Sequence, residues 1–500
     1  MTSNHDDPSM PAKPNRQQRQ MTFWESDDCV VPMRPGNAGR GKAVRPARES
    51  SRPPAAHRSR EPVNDRLDRI TLRAESDRAA TFNNLFSLLN TELLFYAFRK
   101  LKRNKAPGVD GQTVEDYEED LQANLQSLED RLHRGSYRSQ PSLRREIPKG
   151  DGKTRPLGIA CVEDKIVQRA IVMVLERIYE VDFSQSSYGY RPNRSCHQAL
   201  ADLGERIHRE RVNFVLDADI QGFFNHVDHE QLLELLGRRV TDPRLLRLIT
   251  RLLKSGVLID QQRHDTDEGV AQGSVLSPLL ANVYLHYVLD EWFEQQVAPR
   301  LSGQASIIRF ADDFVCTFER ESDAKRFREV LVKRLGRYSL ELAEEKTKLI
   351  RFGRFARRDC QRLGEGSPGT FVFLGFMHYC GQSRAGKFKL KRRTAAKKFR
   401  SKVADLKDWF RTKLTTPIAE VWASLERKLR GHFQYFHVND NWEMLMKYRE
   451  AARRLAFRWM RRRSHKGGQL SWESFQQYLD RHPLAMPGRL TDLIAMGRAL

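Results

Sequence analysis

Apolar residues recur at helical spacing early in the chain, in residues 82–103. Leucines at positions 85, 88, 89, 93 and 94 fall on one side of a helix. Globular structure is therefore expected to begin near residue 75.

Later in the chain, IIRFADDFVC (residues 307–316) has the composition of a β-strand interrupted by acids. β-Branched and aromatic residues surround Asp312 and Asp313, and Ala-Asp-Asp breaks the run as a tight turn does. The stretch predicts a β-hairpin with both acids at its tip. An ordinary turn without chemistry is the more frequent explanation of a lone Asp-Asp pair, so the assignment depends on a second acidic site.

That second site lies in NFVLDADIQGFFNHVDHEQLLELL, residues 213–236. The apolar strand ends at Asp219, and the helix that follows is predicted to start with a capping box of Asp228 and Gln231. An acid at the end of an apolar strand is costly unless a cation binds it. Two carboxylates about 4 Å apart repel by roughly 4 kcal/mol at an effective dielectric near 20, and a divalent metal removes that penalty. Oxygen ligands suit Mg²⁺, and two such ions can drive an in-line phosphoryl displacement.

Two further segments have nucleotide-binding character. In EIPKGDGKTRPLGIA, Lys149 and Arg155 flank a glycine turn suited to gripping a triphosphate, with a solvated charged loop as the alternative. Downstream, a Gln-Gly-Ser turn at 272–274 precedes a helix that is predicted to have Ser277 as its N-cap and Pro278 at its first position.

Positive charge is concentrated toward the C-terminal end. The chain has a formal net charge of +23, and residues 381–470 contain 25 Lys and Arg against 7 Asp and Glu, an excess of 18. Apolar residues at helical spacing share this segment, which predicts helices with one packed face and one basic face. Such a surface favours a polyanion such as nucleic acid. The apolar positions are Phe399, Val403, Leu406, Trp409, Phe410 and Leu414.

The remaining composition argues against several classes of protein. Residues 1–70 are expected to form a flexible arm, since the first 60 carry 8 of the 21 prolines. The six cysteines are scattered without a Cys-x-x-Cys pair, which argues against a disulfide framework and a cysteine zinc site. No apolar run approaches the roughly 20 residues that span a bilayer, and no signal sequence is visible, so a cytoplasmic location is expected.

Five blocks of sequence occur in the order of the palm motifs of reverse transcriptases. They are DADIQGFF (217–224), AQGSVLSPLLANVYLHYVLDEWF (271–293), FADD (310–313), LAEEKTKLIRFG (342–353) and FVFLGF (371–376). From about residue 80 to 485 the chain more closely resembles the reverse transcriptase/maturases encoded by bacterial group II introns. The resemblance implies an α+β right-hand polymerase. Some relatives add a C-terminal HNH endonuclease, but this chain stops at Leu500 without paired cysteines, so no such endonuclease and no second-strand nicking are expected. Its expected parts are the arm (1–70), fingers (71–206), a palm whose antiparallel sheet carries the catalytic acids (207–380) and an α-helical thumb/maturase domain (381–500).

The resemblance also assigns roles to single residues. Asp219, Asp312 and Asp313 would be the catalytic carboxylates and, with the backbone carbonyl of Ile220, would bind two Mg²⁺ ions, for which Mn²⁺ could substitute. Asp217 does not match a metal position and is expected to be a polar strand residue. The residues expected to bind the incoming dNTP are Lys149, Arg155, Phe224, Gln272, Gly273 and Lys346. The residues expected to contact RNA are Arg191, Arg194, Arg430, Tyr435, Trp459, Arg462 and Lys466.

Two of these residues have a plain structural alternative, and two other positions depart from the family pattern. Phe224 would lie under the incoming sugar and exclude a 2′-hydroxyl, yet it could be an ordinary core aromatic. Lys346 would protonate the leaving pyrophosphate, yet it could be a surface lysine. The family has Pro where this chain has Ala271, and Tyr where it has Phe310. Neither change removes a metal ligand.

By this resemblance the expected function is an RNA-directed DNA polymerase that binds group II intron RNA, assists its splicing and copies it during retrohoming. The expected partners are the intron RNA, an RNA template with a DNA primer, a DNA target and dNTPs, in a bacterial ribonucleoprotein without a membrane. Whether the protein forms a homodimer is left open. Two alternatives remain: a splicing-only maturase, and a domesticated reverse transcriptase in DNA repair or phage defence. The three aspartates favour the polymerase.

Overall fold

The chain folds into a mixed α+β structure with a helical C-terminal region. The computed structural model describes residues 62–148, 154–259, 262–264, 268–463 and 470–499. The expected arm up to residue 61, together with Lys149 and Lys466, lies outside the described residues. No described helix is both long and apolar enough to cross a membrane.

Helices form three groups along the described chain. The first group is α1 (Val63–Ser76), α2 (Thr91–Arg99), α3 (Val114–Glu119), α4 (Leu121–His133), α5 (Val162–Asp182) and α6 (Cys196–Arg209). The second is α7 (His229–Gly237), α8 (Pro243–Leu253), α9 (Ser277–Leu285), α10 (Glu321–Gly336) and α11 (Ala356–Leu363). The third is α12 (Ala396–Arg411), α13 (Ile418–Phe436), α14 (Trp442–Arg461), α15 (Trp472–Arg481) and α16 (Leu493–Arg498). Two π-helical segments, His286–Asp290 and Phe293–Val297, follow α9.

The described strands pair into three sheets. In chain order they are β1 (Ser142–Pro148), β2 (Thr154–Ile159), β3 (Phe214–Asp219), β4 (Val257–Ile259), β5 (Gln262–His264), β6 (Ala305–Phe310), β7 (Asp313–Phe318), β8 (Lys348–Arg351), β9 (Phe371–Phe373), β10 (Phe376–Gln382) and β11 (Phe388–Thr394). The central sheet has the order β6-β7-β3-β8 with antiparallel neighbours. The other two have the orders β2-β1-β4-β5 and β11-β10-β9.

The central sheet separates two hydrophobic cores. Successive side chains of a strand point to opposite faces. On β3 and β7, Leu216 and Phe314 pack into one core, whereas Val215 and Val315 pack into the other together with side chains of α12 to α15. A slip of one residue would exchange the two faces, so this double burial fixes the register of the sheet.

The predicted strand and hairpin of the acidic segments are confirmed. β3 ends at Asp219, and β6 and β7 form an antiparallel hairpin in which Phe310 pairs with Asp313. Only Asp312 therefore lies in the turn, because Asp313 is already the first residue of β7.

Two predicted starts are wrong, and one predicted helix cap is confirmed only in part. The described fold begins with α1 at Val63 and not near residue 75. The sequence did not reveal this helix because its few buried positions are diluted among charged residues and give a weak pattern. Asp228 does cap α7, accepting from the Gln231 amide at 2.9 Å. The Gln231 side chain, however, donates to the carbonyl of Arg337, so the capping box lacks its reciprocal bond. α9 already includes Ser277 as its first residue, so Ser277 is not the N-cap.

The predicted apolar face of the first basic helix is confirmed for most of its length. Leu406 and Phe410 are buried on α12, and Phe399, Val403 and Trp409 pack against the same core. Leu414 lies past the end of the helix and is 44% exposed, so its expected burial is wrong.

Candidate active site

The central sheet brings acidic residues of distant segments to one edge. Asp219, the last residue of β3, lies directly opposite Asp313, the first residue of β7. Asp217 points to the same face as Asp219 because the two are separated by one residue. Asp312 lies in the adjoining turn. The three predicted catalytic carboxylates therefore lie at the same end of one sheet.

A buried arginine holds the turn that carries Asp312. Ala311 has a φ of +58°, the left-handed region that a two-residue hairpin turn requires and glycine usually supplies. The fully buried guanidinium of Arg309 donates to the Ala311 carbonyl at 2.9 Å and to Oδ1 of Asn282 at 3.0 Å. It also forms a buried ion pair with Asp290, donating from Nε to Oδ1 at 2.8 Å. The turn is thus fixed from inside the fold.

The hairpin of β9 and β10 contacts the acidic edge through its backbone. Phe373 pairs with Phe376, and the two residues between them, Leu374 and Gly375, both have positive φ angles, +50° and +76°. Burial raises the pKa of Asp313, and the Leu374 backbone opposes that rise. The Val372 backbone likewise opposes the rise that burial causes in the pKa of Asp217.

Crowding and burial perturb the acids of this edge. Burial, reinforced by the charge of Asp219, raises the pKa of Asp312. Burial also raises the pKa of Asp313 well above its ordinary value, with further contributions from Asp217, Asp312 and Asp219. For Asp217, burial raises the pKa to about 6. The edge accordingly favours a bound proton or a metal cation.

One ammonium group already partners this cluster. Lys346 Nζ donates to Oδ2 of Asp219, and that hydrogen bond raises the pKa of Lys346. Lys346 is therefore paired with Asp219 although its side chain is 69% exposed, and its role in proton transfer stays a prediction.

The donor set fits a hard divalent cation. Among the described residues, no three His, Cys, Asp or Glu side chains already converge as a complete metal cage. Mg²⁺ in nucleotide-handling sites uses one or two carboxylates together with substrate phosphates. The facing pair Asp219 and Asp313, with Asp312 beside it, matches that requirement. Ile220 follows Asp219 directly and is buried; metal binding by its carbonyl stays a prediction.

Three of the predicted nucleotide-binding residues meet beside the acids. Nε of Arg155 donates to Oε1 of Gln272 at 2.8 Å, and the Gly158 amide donates to the Gln272 carbonyl at 2.6 Å. Gly273 has a φ of +104°, and a Cβ there would lie 2.6 Å from the Gly158 carbonyl oxygen. Burial raises the pKa of Asp312 and the charge of Arg155 partly offsets that rise, so the guanidinium lies within electrostatic range of the acid.

Phe224 lies in the short helical turn that follows β3. Its ring packs edge to face on Phe223, with centroids 5.4 Å apart, and is 8% exposed. The carbonyl of Phe224 accepts from the Val270 amide at 2.7 Å, which ties the turn to the segment leading to Gln272. The aromatic is packed as a core residue at a position five residues from Asp219.

Two of the predicted RNA contacts are buried, which corrects the expectation for them. Arg191 donates to Glu180 and to the carbonyls of Ser184 and Ser187, so its donors are used inside the fold. Trp459 is 2% exposed and packs on Phe410, which leaves no ring face for a base.

The other described RNA candidates keep accessible side chains. Arg194 lies partly exposed over the ring of Tyr188. Arg430 on α13 and Arg462 at the end of α14 are exposed. Tyr435 is half-buried, and its hydroxyl donates to the Leu374 carbonyl at 3.0 Å. RNA contact by these four residues stays a prediction.

Sequence reasoning missed the residues that support the site. Arg309 stands on the core-facing side of an apolar strand, and this charge in a buried position was the available signal. The sequence held no comparable signal for its partners Asn282 and Asp290. Asn282 and Asp290 are eight residues apart, which in a regular α-helix exceeds two full turns by roughly 80°, so their side chains would point in different directions. The wider π-helical segment that ends at Asp290 brings both side chains to the guanidinium of Arg309.

Comparison with known proteins identifies two families along the chain. Residues 147–378 match the family model described as reverse transcriptase (RNA-dependent DNA polymerase). Residues 396–479 match the group II intron, maturase-specific domain.

Similar proteins come from bacteria and from yeast. The group II intron-encoded protein LtrA of Lactococcus lactis subsp. cremoris is 32% identical over 325 residues, covering 60% of this chain and 53% of the relative. Protein YkfC of Escherichia coli K12 is 33% identical over 334 residues, covering 60% of this chain and 83% of the relative. The putative COX1/OXI3 intron 2 protein of Saccharomyces cerevisiae is 29% identical over 290 residues, covering 57% of this chain and 31% of the relative. The chain thus spans about half the length of LtrA.

Proposed function

The chain belongs to the family of reverse transcriptases and maturases encoded by group II introns, and from that premise we propose that it is an RNA-directed DNA polymerase that also binds intron RNA. The observation that supports the polymerase is the register of the central sheet, in which Asp219 faces Asp313 beside the turn of Asp312. Carboxylates brought together in this way from two strands are suited to bind the ions of two-metal nucleotidyl transfer.

We propose the arrangement of a right-handed polymerase for this fold. The fingers would comprise residues 71–206, extended to Val63 by α1, and the palm residues 207–380. Residues 381–500 would form the thumb and maturase domain. The supporting features are the sheet with acids at one edge and the helical segment α12 to α16 that follows it.

Asp219, Asp312 and Asp313, with the Ile220 carbonyl, would hold the divalent ions, Mg²⁺ or in its place Mn²⁺. Bound there, the ions would supply Lewis-acid activation of the primer 3′-hydroxyl and neutralise charge on the leaving pyrophosphate. The protein's own part is to present the three carboxylates in fixed positions, which Arg309 supports by holding the turn of Asp312.

The surrounding side chains would orient the nucleotide. Arg155, supported by Gln272, would bind the triphosphate through its guanidinium. Phe224 would close the space beneath the sugar and exclude a 2′-hydroxyl. Lys346, whose ammonium already lies on Asp219, would deliver a proton to the pyrophosphate oxygen.

The helical region would bind RNA. Its excess of 18 positive charges over residues 381–470 suits phosphate, and exposed Arg430 and Arg462 belong to it. The intron RNA, an RNA template with its DNA primer, a DNA target and dNTPs are the proposed partners, and splicing and retrohoming the proposed roles.

The test is extension of a DNA primer on an RNA template with dNTPs and Mg²⁺, comparing wild type with Asp312→Ala. We expect wild-type extension that the variant loses by about a hundredfold or more. No wild-type extension, with tight RNA binding retained, would contradict the polymerase and leave a splicing-only maturase.

A further inference from the structure

The loop of residues 271–276 is held at two points by neighbouring elements. From β2, the Gly158 amide donates to the Gln272 carbonyl at 2.6 Å, and Nε of Arg155 donates to the Gln272 side chain at 2.8 Å. The second point is the side chain of Gln168 on α5, the helix that follows β2 in the chain. A single strand and the helix after it therefore hold both ends of the Gln-Gly-Ser turn.

Gln168 acts in this contact as a hydrogen-bond acceptor. Its Oε1 accepts from the hydroxyl of Ser274 at 3.1 Å and from the backbone amide of Val275 at 3.0 Å. The side chain is 5% exposed, so both bonds are made inside the fold. The Ser274 oxygen in turn accepts from the amide of Leu276 at 3.2 Å, which extends these bonds to the residue that precedes α9.

The loop depends on this acceptor because its own backbone is permissive. Gly273 has no side chain and a φ of +104°, so the segment has conformational freedom. Ser274 and Val275 are only half-buried, and their donors would find water once the loop moves outward. Such a movement would draw Gln272 away from Arg155, the residue proposed to bind the triphosphate.

We propose that Gln168 is a positioning residue for the incoming nucleotide: its side-chain oxygen holds the loop in the conformation in which Gln272 supports Arg155. The inference rests on the proposed function. It deepens that function by making the order of the dNTP site depend on a buried side chain of α5.

The test compares Gln168→Met with Gln168→Glu by single-nucleotide extension at varied dNTP. Met has no comparable acceptor, whereas Glu keeps an oxygen that accepts both bonds. We expect the KM for dNTP to rise by about tenfold in Gln168→Met, with kcat and the dissociation constant for RNA unchanged. Gln168→Glu should keep the wild-type KM. Asn124→Leu is the matched control and should also keep it, because it removes a side-chain bond of similar length, to the Tyr117 carbonyl, on α4.

Hydrogen–deuterium exchange tests the same contact without activity. The peptide covering residues 271–276 should exchange faster in Gln168→Met than in wild type, and at the wild-type rate in Gln168→Glu and Asn124→Leu. Unchanged exchange in Gln168→Met would overturn the proposal even if the wild type proves inactive. With an active wild type, a fall in kcat at unchanged KM, or an equal rise in KM for Gln168→Glu, would overturn it and make Gln168 a plain structural residue.

Ser274→Ala tests the contact from the loop side if Gln168→Met does not fold. It removes one of the two bonds to Gln168 at a half-buried position. We expect the KM for dNTP to rise by about threefold, with faster exchange of the same peptide. An unchanged KM together with unchanged exchange would overturn the proposal.

Discussion

Side chains at the edge of the central sheet compete for very little space. Asp217, Asp219 and Asp313 share one face. Burial raises the pKa of Asp217 and of Asp313, and the backbones of Val372 and Leu374 partly oppose these two rises. The sequence predicted Asp219 at the end of an apolar strand, and Asp313 with Asp312 at the tip of a hairpin. The effect of the Leu374 backbone could not be predicted, since it depends on how a separate hairpin docks.

The buried ion pair of Arg309 and Asp290 should contribute strongly to the free energy of unfolding. Arg309→Met would leave Asp290 buried without its partner, and we expect the free energy of unfolding to fall by about 3–5 kcal/mol. Urea denaturation measures the change. Arg300→Met, at an exposed site, is the control and should change it by less than about 0.5 kcal/mol. A decrease below about 1 kcal/mol in Arg309→Met would show that the pair does not fix the turn.

Asp217 should make the stability of the metal-free protein depend on pH. Its pKa of about 6 exceeds the ordinary 3.8, so the folded state binds the proton more tightly, and this stabilisation is lost as pH rises from about 4 through about 6. Asp217→Asn should therefore be more stable than wild type at pH 8, by about 1–3 kcal/mol, with little difference near pH 4. Denaturation at both pH values checks this, with exposed Asp408→Asn as control. Equal stability at pH 8 would contradict it.

Elements meet at this site through loops as much as through strands. The sequence predicted β3 and the β6–β7 hairpin, because their apolar runs and turns are strong local signals. It misplaced the starts of α1 and α9, where local signals are weak and packing decides. The docking of the Gln272 loop on β2 is a long-range contact that no local pattern encodes.

Gly273→Ala should detach that loop. The new Cβ would lie 2.6 Å from both the Gly158 oxygen and Leu157 Cδ1, at a φ of +104°. We expect the KM for dNTP to rise by about tenfold or more, because Arg155 loses the support of Gln272, while RNA affinity holds. Gly237→Ala, with nothing within 4 Å of its Cβ, is the control. An unchanged KM would argue against a nucleotide-binding role for the loop.

At the scale of the whole molecule, one chain carries both the predicted catalytic acids, which would bind cations, and the basic helices, which would bind phosphate. The sequence predicted both the charge excess and its helical form. It could not predict which basic residues are buried, since Arg191 is enclosed by carbonyls of its own loop while Arg430 is exposed.

RNA binding should depend on salt through the exposed arginines. We expect Arg430→Ala combined with Arg462→Ala to reduce the slope of log affinity against log salt by about 0.7–0.9 for each phosphate that the protein no longer neutralises. Filter binding over a range of salt concentrations measures the slope. Arg134→Ala, an exposed site at the end of α4, should leave it unchanged. An unchanged slope in the double variant would move the RNA site elsewhere.

The most direct measurement compares two neighbouring acids of β3 that point to the same face. Single-turnover addition of one dNTP to a DNA primer on an RNA template would be measured at pH 8 against Mg²⁺ concentration, for wild type, Asp219→Asn and Asp217→Asn. With Asp219 opposite Asp313 as the metal-binding pair, we expect Asp219→Asn to lose about a hundredfold or more in rate and Asp217→Asn to stay within about threefold. Equal losses, or a greater loss in Asp217→Asn, would contradict the placement of the catalytic metals at this end of the sheet.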